Sequence, residues 1–342
     1  MKQKILSCLL TVLLILPGCK AGQNGDTSTN RYKASFLTLF DTVTTIVGYA
    51  ETEELFQEQC QKIHDELQVY HELFDIYHEY PGINNVKTIN DNAGVAPIKV
   101  DQPLIDLLVF SREIYDQTDG RVNVAMGSVL KRWHESRTAG VDDPDAATLP
   151  EEAALREAAE HIRFDDVIID TEKRTVYLSD PLLRLDVGAI AKGYAVERMC
   201  RNVPSGFLIS VGGNVCATGP RADGTAWVIG LENPEGGDYL HTLNVSSGCV
   251  VTSGDYQRFY AVNGKRYHHI IDPQTHMPAN YWHSATILCE DSGLADALST
   301  ALFLMPQAEG QRLLDYYHAE AMWVDLDGNV FFSPGFSKHI RT

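Results

Sequence analysis

The second half of the chain contains short strand-like segments that follow one another without helices between them. Between residues 206 and 290, runs rich in Val, Ile, Thr and aromatic residues alternate with turn residues. Parallel strands need a long crossover, usually a helix, so strands in direct succession pair antiparallel or in a mixed sheet. The sequence therefore predicts an α+β fold, with mixed or antiparallel sheets and packed helices, and argues against a doubly wound nucleotide-binding fold.

Helices are predicted where apolar residues recur three and four positions apart. The clearest runs from Leu55 to Phe74, and a second begins at Pro103 and stops at Gly120. Shorter helices are predicted for 150–161, 192–201, 293–305 and 307–318. A single strand is predicted for 36–50, and Asn263-Gly264 and Asp327-Gly328 predict two-residue hairpin turns.

The first 19 residues are typical of an export signal that ends in a lipidated cysteine. Two lysines precede an apolar run of about a dozen residues, which is too short to remain in a bilayer as a spanning helix. Leu16-Pro17-Gly18-Cys19 resembles a bacterial lipobox, and a plain secretory signal is the alternative. We predict a lipoprotein signal peptide in 1–18, a flexible tether in 19–35 and one folded domain in 36–342. The protein is then extracytoplasmic, lipid-anchored to a bacterial membrane, and periplasmic in a Gram-negative cell.

The net charge of −18 is spread along the chain and limits the classes of partner. No cluster of lysine and arginine with interleaved aromatic residues is present, so we expect no nucleic-acid binding. The cysteines of the folded part are Cys60, Cys200, Cys216, Cys249 and Cys289, without C-x-x-C spacing, which argues against a zinc site and a disulfide framework. We interpret them as small core residues, with a single disulfide as the alternative.

Residues 184–199, "RLDVGAIAKGYAVERM", pass from a strand-like start through glycines into a helical pattern. Glycine lets the backbone approach a ligand closely, and free N–H groups at a helix start attract anions. The segment matches neither the P-loop nor the dinucleotide fingerprint. It predicts a site for a phosphate-bearing ligand, and the alternative is a turn that only packs a helix on a sheet.

Residues 293–306, "GLADALSTALFLMP", place oxygen-bearing side chains on an otherwise apolar helix. Asp296, Ser299 and Thr300 share a face because residues three and four apart are neighbours on a helix. Buried oxygens need partners, so these side chains either cap the helix and bond a loop or bind a hard cation. Mg²⁺ is the candidate, since it prefers oxygen ligands and keeps waters and substrate phosphates.

Two further segments contribute candidate residues. In "RYHHIIDPQTHMPAN", His269 and Asp272 stand near the end of a strand. Such a pair is more often structural, but a histidine beside a phosphate site can accept the proton of a hydroxyl nucleophile. In "LISVGGNVCATG", Gly212 and Gly213 follow a strand and permit a bulge or close approach to a ligand.

Five segments in this order resemble the ApbE family of FAD:protein FMN transferases: "DVGAIAKGYAVE", "SVGGN", "TSGDYQRFY", "HIIDPQTHMP" and "ADALSTAL". The resemblance covers nearly the whole mature chain. It implies an ApbE-like flavin transferase fold and an enzyme that splits FAD with Mg²⁺. Such an enzyme attaches FMN through a phosphoester to a Thr or Ser of an exported acceptor protein, typically part of an electron-transfer complex, and AMP leaves.

The resemblance also implies roles for individual residues. It implies FAD contacts at Phe40, Tyr77, Arg121, Val122, Asn123, Asp186, Lys192 and Ile271. It implies metal ligands at Ala189, through its carbonyl, and at Asp296, Ser299 and Thr300. His269, beside Ile271, is our candidate catalytic base.

The chain departs from the family pattern at several positions. Many relatives have Ser and Glu where this chain has Gly188 and Lys192, and a second Asp in place of Ser299. A neutral Ser299 removes one anionic ligand and so weakens or reshapes the metal site. His276 replaces a common turn glycine. Two alternatives stay open: an enzyme that only hydrolyses FAD to FMN and AMP, and a non-enzymatic FAD-binding lipoprotein.

Overall fold

The computed structural model describes residues 29–37 and 39–342, in which 15 strands and eight helices alternate irregularly along the chain. The strands are β1 (Asn30–Leu37), β2 (Val43–Ala50), β3 (Ile98–Lys99), β4 (Val167–Asp170), β5 (Thr175–Leu178), β6 (Phe207–Val211), β7 (Asn214–Ala217), β8 (Trp227–Leu231), β9 (His241–Val245), β10 (Gly248–Gly254), β11 (Phe259–Val262), β12 (Lys265–His268), β13 (Ser284–Cys289), β14 (Glu320–Val324) and β15 (Val330–Phe332). The helices are α1 (Glu53–Phe74), α2 (Val86–Asp91), α3 (Gln102–Gln117), α4 (Gly127–Asp142), α5 (Glu152–Ala159), α6 (Ala191–Cys200), α7 (Ser292–Phe303) and α8 (Gln307–Tyr317).

An eight-stranded sheet in the order β1-β2-β6-β7-β10-β13-β14-β15 forms the centre of the fold. Smaller sheets contain β3-β5-β4, β8-β9 and β11-β12. Every ladder among the described strands is antiparallel. This confirms the predicted α+β class with antiparallel sheets.

The two faces of the large sheet are covered differently. Successive strand residues point to opposite faces, so Val251 and Ile287 join the core beneath α1, α6 and α7, whereas Val250 and Leu288 pack against the β8-β9 hairpin. The helical face holds the larger core, in which α7 is buried almost all round. The segment predicted to bind phosphate and the oxygen-bearing helix therefore meet on one side of the sheet.

The amino-terminal strand prediction is wrong in one respect. The segment 36–50 forms parts of two strands, β1 and β2, which pair as an antiparallel hairpin. Alternate β1 residues Tyr32, Ala34 and Phe36 are half-buried against the core, so the fold begins at Asn30 and the last six residues of the predicted tether belong to a strand. The predicted signal peptide and the rest of the tether, up to residue 28, lie outside the described residues.

Most other predicted elements are confirmed, with two clear differences. The Asn263-Gly264 turn joins β11 to β12, and both residues have positive φ angles, 51° and 78°. The link between β14 and β15 has five residues instead of two, because the Asp325 carboxylate accepts hydrogen bonds from the Asp327 and Asn329 amides and closes a longer loop. Helix α4 was not predicted. No helix in the described part of the chain combines the length and apolar surface that a membrane span needs.

A buried asparagine holds the strand-like start of residues 184–199 in place. The Asn90 side chain on α2 is 8% exposed and forms both possible hydrogen bonds to the Leu185 backbone: its amide donates to the carbonyl at 2.9 Å and its oxygen accepts from the N–H at 2.7 Å. The next residue, Asp186, donates its own N–H to the Val124 carbonyl. The backbone entering the candidate site is therefore fixed from two sides.

Replacing Asn90 by alanine should lower the free energy of unfolding by about 2–4 kcal/mol, because both polar groups of Leu185 then stay buried without partners. Urea denaturation measures the loss. Asn84→Ala is the control: Asn84 is exposed and donates one bond to the Lys99 carbonyl, so the change should be within about 0.5 kcal/mol. Equal losses in the two variants would contradict the role given to Asn90.

Candidate functional site

A cleft of about 980 Å³ opens at the edge of the helical layer. It is bounded by the turn between β1 and β2, by α4, by the start of α6, by α7 and by the backbone after β12. The predicted site residues on its wall are Phe40, Tyr77, Arg121, Val122, Asn123, Asp186, Ala189, Lys192, His269, Ile271, Asp296 and Thr300. Residues distant in sequence are thus brought into one cavity.

Ser299 is the predicted metal ligand that the structure places away from this wall. It is fully buried, its hydroxyl donates to the Asp296 carbonyl at 2.9 Å, and it lies 2.8 Å from the Ser253 hydroxyl on β10. The helical turn directs it toward the sheet, whereas Thr300, one residue later, faces the cleft. Ser299 thus helps α7 to pack on β10, next to Ser253 of the cleft wall, and its role as a metal ligand stays a prediction.

The start of α6 approaches α7 very closely at Gly193. The Gly193 amide donates to Asp296 Oδ2 at 2.8 Å, and Asp296 is only 4% exposed. A Cβ on Gly193 would lie 2.3 Å from both the Asp296 Cβ and the Ser292 carbonyl oxygen. Only glycine permits this approach without a shift of one helix. Lys192 Nζ lies 3.7 Å from the same carboxylate oxygen.

The same hydrogen bond affects the Ala189 carbonyl. In a continuous helical ladder the amide of residue 193 would bond to the carbonyl of residue 189, but the Gly193 amide bonds to Asp296 instead. Within the described residues no group donates a hydrogen bond to the Ala189 carbonyl, so this oxygen stays available at the cleft wall. Ala189, Asp296 and Thr300 all line the cleft and offer only oxygen atoms as possible ligands: a carbonyl, a carboxylate and a hydroxyl.

This donor set fits a hard divalent cation that keeps part of its shell for water or phosphate. Across residues 29–37 and 39–342, no group of three or more His, Cys, Asp and Glu side chains is arranged to hold a metal. A soft, fully protein-enclosed metal such as structural zinc therefore does not fit the described residues. Magnesium, held by few protein oxygens and a phosphate ligand, fits them.

Asp186 sits at the glycine-rich turn before α6. Its Oδ1 accepts a hydrogen bond from the Gly188 amide at 2.9 Å. Burial raises the pKa of Asp186, while the hydrogen bond from the Gly188 amide and the charge of Arg137 oppose this shift. The charge that α4 contributes thus partly offsets the effect of burial on the Asp186 carboxylate.

Two arginines on the cleft wall were not predicted. Arg137 comes from α4, and Arg258 from the loop before β11. In the described part of the chain neither guanidinium lies within 4.0 Å of a carboxylate, and Arg137 donates to His134 Nδ1 at 3.0 Å. Burial lowers the pKa of Arg137, and the neighbouring Arg258 charge lowers it further. These cations supply the local positive charge that a phosphate-bearing ligand needs on an acidic protein.

The sequence signal for these residues was weak. Helix α4 carries Trp133, His134 and Arg137, but the sequence gives no clear signal for where it begins. The residue at its N-cap is Met126, whose side chain forms no capping hydrogen bond. Its apolar pattern is interrupted because one face lines the cleft. Arg258 lies inside the quoted segment "TSGDYQRFY" and could have been found there.

His269 is held in one orientation by the backbone. Its Nδ1 lies 3.2 Å from the Arg258 carbonyl, which also accepts from the His269 amide at 3.1 Å. Nδ1 therefore carries the proton, and Nε2 keeps its lone pair. Burial lowers the pKa of His269 to about 3, with further contributions from Arg258, His268 and Arg137. The imidazole is neutral at neutral pH.

Asp272 does not pair with His269. It is 5% exposed, and its Oδ1 accepts from the Gln274 amide at 2.7 Å, so it stabilises the turn after the strand. His276 in this turn has a φ of 59°, the left-handed conformation that favours glycine. Its carbonyl accepts from the Trp133 indole at 2.8 Å, which joins the turn to α4.

The aromatic residues Phe40 and Tyr77 line another part of the cleft wall. Phe40 and Asp41, in the β1–β2 turn, have φ angles of 55° and 52°, and the Phe40 amide donates to His71 Nδ1 at 3.2 Å. The Tyr77 ring is 48% exposed and stands 5.3 Å, centroid to centroid, from the His134 ring. A planar ligand can stack on such exposed rings.

The Asp75 carboxylate fixes this aromatic wall. Burial alone would raise its pKa, but hydrogen bonds from the Tyr77 amide, the Tyr80 hydroxyl and the His78 side chain and amide outweigh burial and lower it. The anion therefore persists and holds the backbone of Tyr77 at the cleft.

The segment 121–123 lines the cleft. Arg121 donates to the Leu304 carbonyl, and Asn123 donates to the Ile162 carbonyl at 2.9 Å and accepts from the Ala125 amide at 2.9 Å. Val122 is 2% exposed. The Arg121 and Val122 amides are also engaged, since both donate to Thr118, and the Asn123 carbonyl accepts from the Met126 amide. The predicted FAD contact of this segment stays a prediction.

The ApbE family description matches residues 40–323, which include every candidate residue of the cleft. The chain belongs to the ApbE family. It is 32% identical over 274 residues to the FAD:protein FMN transferase of Treponema pallidum (strain Nichols), covering 74% of each chain, and 34% identical to one of Klebsiella pneumoniae (strain 342), covering 64% of this chain and 68% of that relative.

Solved structures agree with this assignment. The ApbE protein of Thermotoga maritima superposes with a TM-score of 0.81 at 28% identity, over 92% of this chain and all of that chain. A flavin transferase ApbE of Vibrio cholerae superposes with a TM-score of 0.75 at 20% identity, over 91% of this chain and all of that chain, which supports the fold. The resemblance drawn from the five segments is confirmed at the level of family and fold.

Gly193→Ala should separate α6 from α7 and lower the free energy of unfolding by about 1–3 kcal/mol, because the added methyl overlaps Asp296 and the Ser292 carbonyl. Denaturant titration measures this. In the control Gly188→Ala the methyl has as its near neighbour only the Asp186 carboxylate, at 3.1 Å, and the cost should stay below about 1 kcal/mol. A Gly193 variant as stable as wild type would show that the contact is not tight.

Arg258→Gln should raise the pKa of His269 by about one unit, because a neighbouring cation disfavours the imidazolium and its removal relieves that effect. A pH titration of the ring followed by NMR checks the shift. Arg156→Gln, on the exposed surface of α5, should leave the His269 pKa unchanged. If both variants titrate like wild type, Arg258 does not act on this imidazole.

Proposed function

We propose that the protein is a FAD:protein FMN transferase that moves the FMN half of FAD onto a Thr or Ser hydroxyl of an acceptor protein and releases AMP. The observation that carries the proposal is the cleft itself. It combines oxygen ligands, arginines without a carboxylate partner in the described structure, an uncharged histidine and the aromatic side chains of Phe40 and Tyr77 in a member of the ApbE family. Its volume, about 980 Å³, is at the upper end of small-molecule sites, which suits a dinucleotide.

Different residues of the cleft would bind different parts of FAD. Tyr77 and Phe40 would contact the flavin ring, and Asp186 the adjoining part of the ligand. Arg137 and Arg258 favour negative charge because they have no carboxylate partner in the described structure. Lys192, next to Asp296, adds a cation on the α6 side.

Magnesium would be held by the Ala189 carbonyl, Asp296 and Thr300. When bound, it stabilises the negative charge that builds up on the phosphate oxygens during transfer. Asp296 keeps one oxygen for this purpose, because only Oδ2 is engaged by Gly193 and Lys192. Three protein ligands leave the remaining positions to water and phosphate.

His269 would take the proton of the acceptor hydroxyl at Nε2. The hydroxyl oxygen forms a bond to the phosphorus on the riboflavin side, and the bond from that phosphorus to the bridging oxygen breaks, so AMP leaves. An imidazole with a pKa near 3 is a weak base. Burial is the main cause of this low pKa, and the arginine charges add to it. The negative diphosphate would offset the arginine contribution, so ligand binding would raise the pKa of His269.

The proposals for the acceptor and for the location rest on the family resemblance and on the amino-terminal sequence. We propose that Cys19 is lipidated, that the enzyme is tethered to the extracytoplasmic side of a bacterial membrane, and that its acceptor is an exported subunit of an electron-transfer complex. Support comes from the signal-like composition of residues 1–19, which precede the described part of the chain. The folded domain begins at Asn30, soon after that cysteine.

Co-expression with an exported candidate acceptor tests the function by mass spectrometry. The acceptor should gain the mass of one FMN on a Thr or Ser with wild-type enzyme and none with Asp296→Ala. His269→Ala should slow transfer by about 10²–10⁴-fold. Arg156→Ala, on the surface, is the control and should match wild type.

Incubation with FAD and Mg²⁺ alone distinguishes the alternatives. A transferase releases little AMP until the acceptor is added. Steady AMP release without acceptor, and no modified acceptor, would identify a FAD hydrolase and overturn the proposal. Retained FAD with no AMP under either condition would identify a binding protein.

A further inference from the structure

A four-residue loop, 255–258, joins strand β10 of the large sheet to the β11–β12 hairpin. Its last two residues, Gln257 and Arg258, line the cleft. The loop bears directly on His269, because the Arg258 carbonyl lies within hydrogen-bond distance of both the amide and the Nδ1 of that histidine. The contacts that fix the loop therefore also fix the proposed base.

Asp255 and His283 form a two-point contact at the start of this loop. Gly254 and Ser284 are the last paired residues of β10 and β13, so Asp255 and His283 come next in register. The Asp255 amide donates to the His283 carbonyl at 3.1 Å, and His283 Nδ1 lies 2.6 Å from Asp255 Oδ2. An ionised carboxylate only accepts, so His283 Nδ1 carries the proton of this bond.

His283 is itself tied to the sheet. Its amide donates to the Val324 carbonyl of β14 at 2.8 Å. The side chains of Asp255 and His283 are 20% and 28% exposed, so water and salt screen their interaction less than that of an exposed pair. The loop is thus fixed through His283 to two neighbouring strands.

The pair acts at a distance from the cleft. Neither Asp255 nor His283 is among the residues that line it. Within the described part of the chain, residues 256 and 257 form no hydrogen bond, so hydrogen bonds hold the loop only at its two ends. If the contact at Asp255 is lost, Arg258, three residues further on, loses its nearest tie to the sheet.

A pair that only closes the end of the sheet is the competing interpretation. His161 and Asp180 offer a matched comparison: His161 Nδ1 lies 2.6 Å from Asp180 Oδ2, and the side chains are 21% and 19% exposed. That pair joins the segment after α5 to the segment after β5, away from the loop 255–258 in sequence. The two pairs are alike in geometry and burial and differ in what they hold.

We propose that Asp255 and His283 are positioning residues for His269. By holding the loop 255–258, the pair places the Arg258 carbonyl where it keeps the proton of His269 on Nδ1 and leaves Nε2 as the base. It also keeps the Arg258 side chain at the cleft wall. The importance of this for the reaction rests on the role proposed above for His269.

Two substitutions at position 283 separate the hydrogen bond from the size of the side chain. Leucine and asparagine are similar in size, but only asparagine can donate to Asp255 from a position like that of Nδ1. His283→Leu therefore removes the bond, and His283→Asn keeps it. Asp255→Ala removes the same bond from the other side and serves as a second test of the contact.

The tautomer of His269 is the direct readout, and it needs no ligand. In the full chain labelled with ¹⁵N-histidine, long-range ¹H–¹⁵N correlation at neutral pH separates rings protonated at Nδ1 from rings protonated at Nε2, and His269→Ala identifies the signal. Wild type, His283→Asn and His161→Leu should show the Nδ1-protonated form. His283→Leu and Asp255→Ala should show a mixture of the two tautomers.

A purely structural role would not change this signal in protein that stays folded. A single Nδ1-protonated form in folded His283→Leu or Asp255→Ala would overturn the proposal. So would a mixture in His161→Leu. If neither His283→Leu nor Asp255→Ala folds, the pair serves global stability and the proposal is wrong.

FMN transfer by the same variants gives the kinetic test. The kcat of His283→Leu should fall about 10-fold or more, because a small displacement of a catalytic group is costly, and His283→Asn should restore most of it. Equal kcat values for wild type and His283→Leu would contradict the positioning role. A tautomer change in a protein that transfers no FMN would support the hold of the pair on His269 and contradict only the function proposed for the cleft.

Discussion

The hydrogen bond from the Gly193 amide to Asp296 is the contact on which the site depends. It draws the start of α6 against α7 at a distance that no side chain larger than hydrogen allows. It removes the amide that would otherwise bond to the Ala189 carbonyl, and it places Lys192 beside the same carboxylate. One backbone contact thus bears on two of the three oxygens proposed to face the metal, those of Asp296 and Ala189.

Charge is the second constraint. The protein carries −18 overall, yet its cleft collects Lys192, Arg137 and Arg258 with few carboxylates in direct contact. Burial, with the charges of Arg258 and Arg137, keeps His269 uncharged. A ligand that brings two phosphates would therefore gain attraction and return the histidine toward its ordinary basicity. Binding and proton transfer are coupled through one set of charges.

The sequence predicted those parts whose local pattern is strong. The long periodic segments correctly predicted helices α1, α3, α7 and α8. The glycine-rich segment before α6 was predicted to bind a ligand, and it lines the cleft. Features set by tertiary packing were missed. Helix α4 has a broken apolar pattern because it borders the cleft, β1 is a polar edge strand, and the rotation of Ser299 toward β10 depends on how α7 sits on the sheet. The alignment of Cys216, Cys249 and Cys289 was not predicted either, since these residues are neighbours only through strand pairing.

A crystal structure grown with FAD and Mn²⁺, in place of Mg²⁺, tests the central claim most directly, because manganese is located by its anomalous scattering. The account predicts one peak about 2.0–2.3 Å from the Ala189 carbonyl, an Asp296 oxygen and the Thr300 hydroxyl, with the diphosphate on its open side and the flavin near Tyr77. A peak elsewhere, or a dinucleotide bound away from both α6 and α7, would contradict it.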